Sequence, residues 1–227
     1  MSEQQIVPGL AGVPVCKSEI AYVDGQNGVL SYRGYPIETL AENSNFLETS
    51  YLLLDGDLPK PAAYRLWVDD ITHHRRLKYK IIDALKLMPE HGHPMDALQS
   101  GVAMLGMFYP GREVEDPETN RRSIVRLIAK LPTIVAAYER LRHGDHAVSP
   151  RDDLSFAANF LYMLTDRVPT ELETKIMDVS LVLHAEHTIN ASTFSALVTG
   201  SALADPYTVI SSAIGTLSGP LHGGANE

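Results

Sequence analysis

Strand-forming sequence in this chain is confined to one place. Residues 20–34 read IAYVDGQNGVLSYRG: two short runs rich in Ile, Val, Tyr and Leu flank Asp24-Gly25-Gln26-Asn27-Gly28, a segment suited to a hairpin turn. Beyond Gly34 the apolar residues recur at helical spacing. One hairpin cannot grow into a sheet large enough to carry a core. The expected fold class is therefore all-α (a multi-helix domain) with a small N-terminal β-hairpin.

The helices are read from periodicity and from Pro/Gly punctuation. Pro36 to Asn43 is a short one, with Ile37, Leu40 and Ala41 on one face, and Phe46 to Leu54 is a second, ended by Asp55-Gly56-Asp57-Leu58-Pro59. A third starts near Pro61 and runs to about Leu77; a fourth covers Pro94 to Tyr109. Residues 117–142 are a long amphipathic stretch in which Pro132 is expected to kink or divide the helix. Further helices are expected at 151–164, 170–187, 190–203 and 206–217. The last two are rich in small residues (Ala191, Ser195, Ala202, Ser211, Ser212, Ala213, Gly215), which let helices approach closely, in a buried layer or across a subunit contact. With 227 residues and no repeat or linker-like tract, the chain reads as one domain with an ample core.

Charge and cysteine usage narrow the function classes. The formal net charge is −9, from 19 Lys+Arg against 28 Asp+Glu, whereas a general nucleic-acid or membrane-surface binder needs a positive field. A small anionic substrate stays possible, because a few local cations outweigh a distant acidic surface. The single cysteine, Cys16, supports neither an intrachain disulfide nor a Cys-based zinc site. MSEQQIVPGL lacks the charged and apolar regions of a secretory signal, and no apolar run is long enough to span a bilayer, so a cytoplasmic protein is expected.

Residues that carry proton chemistry collect near the end. His184 and His187, in HAEHTINASTF, are expected one helical turn apart on a shared face, with Glu186 pointing elsewhere. The pair lacks the further ligands a metal needs: there is no HExxH and no PCxxC, so no metal is expected. Two core histidines bonded to helix carbonyls would show the same spacing. His222 lies in GPLHGGAN, which either holds the imidazole at a helix entrance near exposed N–H groups or is an ordinary glycine-rich turn. GxSxG, GxGxxG and GxxxxGK[ST] are all missing. The basic run His73-His74-Arg75-Arg76-Leu77-Lys78-Tyr79-Lys80 reads as a phosphate or acidic-partner site, or as a solvated helix end whose cations complement the dipole. His91-Gly92-His93-Pro94-Met95-Asp96 reads as a turn into a helix.

Four segments in order, VLSYRGYPIETLAENSNFLETSYLLLDGDLP, GHPMDAL, HAEHTINASTF and GPLHGGANE, resemble the N-terminal part of the bacterial citrate synthases, a group that includes the 2-methylcitrate synthases. The resemblance implies condensation of acetyl-CoA with oxaloacetate through an enol, with acetyl-CoA a substrate and no cofactor. It assigns His222 as the catalytic residue that hydrogen-bonds the thioester oxygen, His187 as an oxaloacetate contact, His184 as its support and Asn190 as a secondary contact. It also implies that 1–227 is the large helical domain, incomplete. The family's small domain would bring the second catalytic histidine, the catalytic aspartate and most substrate-binding arginines, so the chain alone is expected to be inactive. Family members are homodimers or assemblies of dimers, and the small-residue helices at 190–217 suit such a contact. A propionyl-CoA-using 2-methylcitrate synthase and an inert self-associating helical module are the alternatives.

Overall fold

The computed structural model describes residues 13–223. Strands β1 (Ala21–Asp24) and β2 (Val29–Tyr32) pair antiparallel, Ala21 opposite Tyr32 and Asp24 opposite Val29. The Asp24 carboxylate ties the turn by accepting the backbone N–H groups of Gln26 and Asn27. A two-residue strand β3 (Tyr35–Pro36) adds to β2, an element the hairpin reading did not include.

Ten helices follow among the described residues: α1 (Ile37–Asn43), α2 (Phe46–Asp55), α3 (Pro61–His74), α4 (Tyr79–Lys86), α5 (Pro94–Phe108), α6 (Pro117–Arg142), α7 (Phe156–Thr165), α8 (Glu171–Leu183), α9 (Ala191–Ser201) and α10 (Pro206–Leu217). Most begin where a side chain satisfies a free N–H of the first turn. Asn45 accepts from Glu48, Asp116 from Glu118 and Thr119, Ser155 from Ala158, and Asp205 from Tyr207 and Thr208. His93 ends the turn that opens α5, its Nδ1 accepting the Met95 N–H at 3.2 Å.

Two expectations need correction, and one helix was not expected. Pro132 does not divide α6, which runs unbroken for 26 residues, or ~39 Å. The helix expected at 151–164 starts only at Phe156, because Ser155 is the residue that caps it. Helix α4 carries no sequence signal beyond Ile81, Ile82 and Leu85; its first turn is basic, the reverse of what the dipole favours.

Helix α6 is the axis of the molecule. One side meets α4, α5 and α10, where Ile81, Leu85, Val102, Leu105, Ile134 and Tyr207 form a core. The other meets α3 and α7, with Trp67, Ile71, Val125 and Phe156. Gly101 lets α5 and α6 touch: a Cβ there would lie 2.9 Å from Ile134 Cγ2. A third cluster joins the hairpin to the helices through Tyr32, Ile37, Leu40, Leu52 and Val182. The small residues of α9 and α10 serve this interior packing: Ser195 and Ser212 hydroxyls meet at 2.8 Å, and α10 packs chiefly on α9 and α5.

Candidate active site

The candidate site is built from the end of α8, the loop 184–190, the start of α9 and the turn after α10. Helix α8 opens with a capping box: the Thr170 hydroxyl accepts the Glu173 N–H while the Glu173 carboxylate accepts the Thr170 N–H. That carboxyl is held down to about 2, first by its bonds to Arg167 and then by Thr170. Helix α8 stops at Leu183, four residues before the expected end at 187. His184 is the C-cap and His187 lies in the loop, so the two rings do not share a helical face. What ends the helix is a competing set of bonds. The buried Tyr32 hydroxyl lies 3.2 Å from Leu183 O and 3.3 Å from Glu186 O, and Thr188 takes a left-handed φ of 58°.

Both histidines are exposed. His184 Nδ1 is 2.7 Å from Ser180 O; a carbonyl only accepts, so Nδ1 carries a proton and donates it there. The reading in which His184 bonds to a helix carbonyl therefore holds, although the ring lies at the surface and not in the core. Asn190 is the N-cap of α9, its Oδ1 accepting the Thr193 N–H at 2.9 Å. That oxygen is committed to the cap, and the amide NH2 is the group left to donate to a substrate.

His222 is half-buried in the turn after α10, with its N–H bonded to Gly219 O at 2.9 Å. Gly223 follows because nothing larger fits: a Cβ there would lie 2.6 Å from Leu217 O. The remaining Gly224, Ala225 and Asn226 of the motif lie outside the described residues, and with them the expected helix entrance. The His222 Nε2 sits 2.8 Å from Ser192 Oγ, which is also 3.0 Å from Ala213 O. Sequence reasoning missed Ser192. Its one signal is its place two residues after Asn190, in the first turn of α9.

That contact links the tautomer to the Ser192 proton. Ser192 donates its one proton to Ala213 O, which leaves His222 Nε2 to donate to Oγ; turned to Nε2 instead, the hydroxyl proton would put the imidazole proton on Nδ1. Only the second arrangement gives a neutral ring that can donate from the side away from Ser192. Asn190 and Ser192 thus connect the loop of His184 and His187 to His222 through the first turn of α9. No hydrogen bond joins His184 or His187 directly to His222.

The basic run proves to be mostly structural. Arg75 is 2% exposed, not solvated, and its guanidinium donates to Arg151 O and Leu154 O. His73 and His74 bond back to Asp69 O and Asp70 O in the last turn of α3, and Arg76 pairs with Asp152. Among the described residues, no group of three or more His, Cys, Asp or Glu side chains is arranged to hold a metal, and no helix is long and apolar enough to cross a membrane.

Relatives carry the same architecture. The family model described as citrate synthase, C-terminal domain, matches residues 9–227. A citrate synthase from Synechocystis sp. is 55% identical over 219 residues, which are 96% of this chain and 55% of that protein. One from Acidithiobacillus ferridurans is 53% identical over 232 residues, 100% of this chain and 60% of its own length. The crystal structure of citrate synthase from Pyrobaculum aerophilum matches with a TM-score of 0.93 at 39% identity, over 97% of this chain and 57% of that one. The chain thus spans 55–60% of the length of these proteins. A family model matching nearly the whole chain, and identity of this degree over the same length on the same helical frame, leave one conclusion: the chain belongs to the citrate synthase family.

Proposed function

We propose that this chain forms one wall of a citrate synthase active site, where acetyl-CoA and oxaloacetate condense to citrate and CoA, an acyl transfer that turns the acyl group into an alkyl group. The observation that carries the reading is the Ser192–His222 contact. When Ser192 turns its proton from Ala213 O to Nε2, His222 carries its own proton on Nδ1 and can hydrogen-bond the thioester oxygen as negative charge develops there on enolisation. His187, with its ring free in the loop, is the proposed oxaloacetate contact; His184 and the Asn190 amide support that wall. Acetyl-CoA is consumed as a substrate, and no cofactor enters the reaction.

Enolisation needs a base facing His222, and no side chain in this chain is assigned that role, so the 227-residue chain by itself is expected to release no CoA above background. Joined to the C-terminal remainder of the Synechocystis relative, it is expected to release CoA from acetyl-CoA only when oxaloacetate is present. His222→Ala should then lower kcat by about two to three orders of magnitude, the range seen when one oxyanion donor is removed. Ser192→Ala should lower kcat more than it changes KM. Turnover indifferent to His222→Ala would sink the assignment. Rates with propionyl-CoA separate the 2-methylcitrate alternative, since one methylene is worth only about 1–3 kcal/mol.

A location in the cytoplasm and association of copies through the large helical domain belong to the same proposal. Helix α9 supports the second point: none of its residues is buried, and Leu197 and Val198 face outward. Light scattering should report a dimer that Val198→Lys weakens; a monomer at all concentrations would exclude this contact.

A further inference from the structure

Among the described residues His187 has no hydrogen-bond partner, yet the loop that carries it is closed around it. The Glu186 Oε1 accepts the Thr188 N–H at 2.7 Å, so the residues on either side of His187 are bonded to each other. Thr188 sits at φ 58°, where a β-branched residue is strained by about 1–2 kcal/mol. The Thr188 carbonyl is anchored from the other side by the Thr193 hydroxyl at 3.2 Å, and Tyr32 reaches the Glu186 carbonyl. Nothing printed by the sequence as a turn signal (no Gly, Asn or Asp) occupies position 188. Side-chain bonding, not residue preference, keeps the left-handed turn.

We propose that Glu186 is a positioning residue for His187: its carboxylate, by accepting the Thr188 N–H, holds the turn that fixes where the imidazole points. The other oxygen, Oε2, is buried with no hydrogen-bond partner among the described residues, which costs stability. A residue placed only to end the helix would have no reason to bury that oxygen. The bond needs an acceptor at the position and no negative charge, so glutamine can make it and alanine cannot. That His187 meets oxaloacetate rests on the function proposed above; the geometry of the turn does not.

The test uses the 227-residue chain and four forms: wild type, Glu186→Gln, Glu186→Ala and Glu186→Ala with Thr188→Asn. Asparagine is the non-glycine residue best suited to the left-handed region, so it restores the turn without the carboxylate. NMR reads the Thr188 HN–Hα coupling, the exchange rate of its amide and the line shape of the His187 ring, and a titration of the same four forms joined to the C-terminal remainder of the Synechocystis relative reads oxaloacetate affinity. Glu186→Ala is expected to lose the positive-φ coupling, speed amide exchange and weaken oxaloacetate about tenfold, the effect of one lost hydrogen bond. Glu186→Gln should resemble wild type, and Thr188→Asn should restore most of the loss at an unchanged melting temperature. The proposal is overturned by an unaltered His187 ring and Thr188 coupling in Glu186→Ala, or by Glu186→Gln failing as badly as alanine. A wild-type fusion whose oxaloacetate affinity is unchanged by His187→Ala would defeat the role given to His187, while the coupling and exchange data would still decide the role of Glu186.

Discussion

Single residues in this chain hold positions that composition alone would assign to the surface. Lys130 is 2% exposed, its ammonium donating to His74 O and Arg76 O at 2.6 Å each. Burial, followed by the charges of Arg126 and Lys78, brings its pKa down from 10.5 to about 8. The sign follows from the two states: between those values the unfolded chain keeps the proton and the folded chain releases it, so the group's contribution to stability rises with pH across that window. Below about 8 the cost of burying the charge is borne in full. Lys130→Met should remove this rise. The stability of wild type minus that of the variant, measured by urea unfolding, is expected to rise by at most ~3 kcal/mol between pH 8 and pH 10.5. An unchanging gap would show that the amine is already neutral or is reached by water. None of this was legible in the sequence, where Lys130 is one more polar residue of an amphipathic helix.

At the scale of elements, periodicity located most helices and failed where tertiary bonds compete with it. After Thr170 the sequence carries no Gly or Pro stop before residue 187, so spacing predicts α8 four residues too long, whereas Tyr32 and Thr188 stop the backbone at Leu183. Helix α4 was missed because eight residues with a basic first turn offer too short a pattern. The start of α9 was read well, and its cap now separates two roles of Asn190. Asn190→Ala should destabilise the domain by about 1 kcal/mol, whereas Asn190→Asp keeps the cap and should cost far less. Equal losses in thermal unfolding would mean that the amide NH2, and not Oδ1, matters to the fold.

For the whole molecule, the hairpin and the candidate site are one structural unit. Tyr32, at 0% exposure, carries its hydroxyl from β2 across a sequence separation of 151 residues to Leu183 O. Tyr32→Phe should cost about 1–2 kcal/mol in urea unfolding and loosen the loop of His187, read as faster exchange of the Thr188 amide. Faster exchange confined to the hairpin would show the two are uncoupled. The sequence by itself determined the fold class, the order of the helices and, through four motifs, the family, because these depend on local spacing and on short runs of residues. Only the tertiary structure decided that His184 and His187 leave the helix, that Arg75 and Lys130 are buried, and that Ser192 faces His222. Those outcomes arise from bonds between distant segments, where a hydroxyl or a carbonyl from elsewhere in the chain outweighs the local preference.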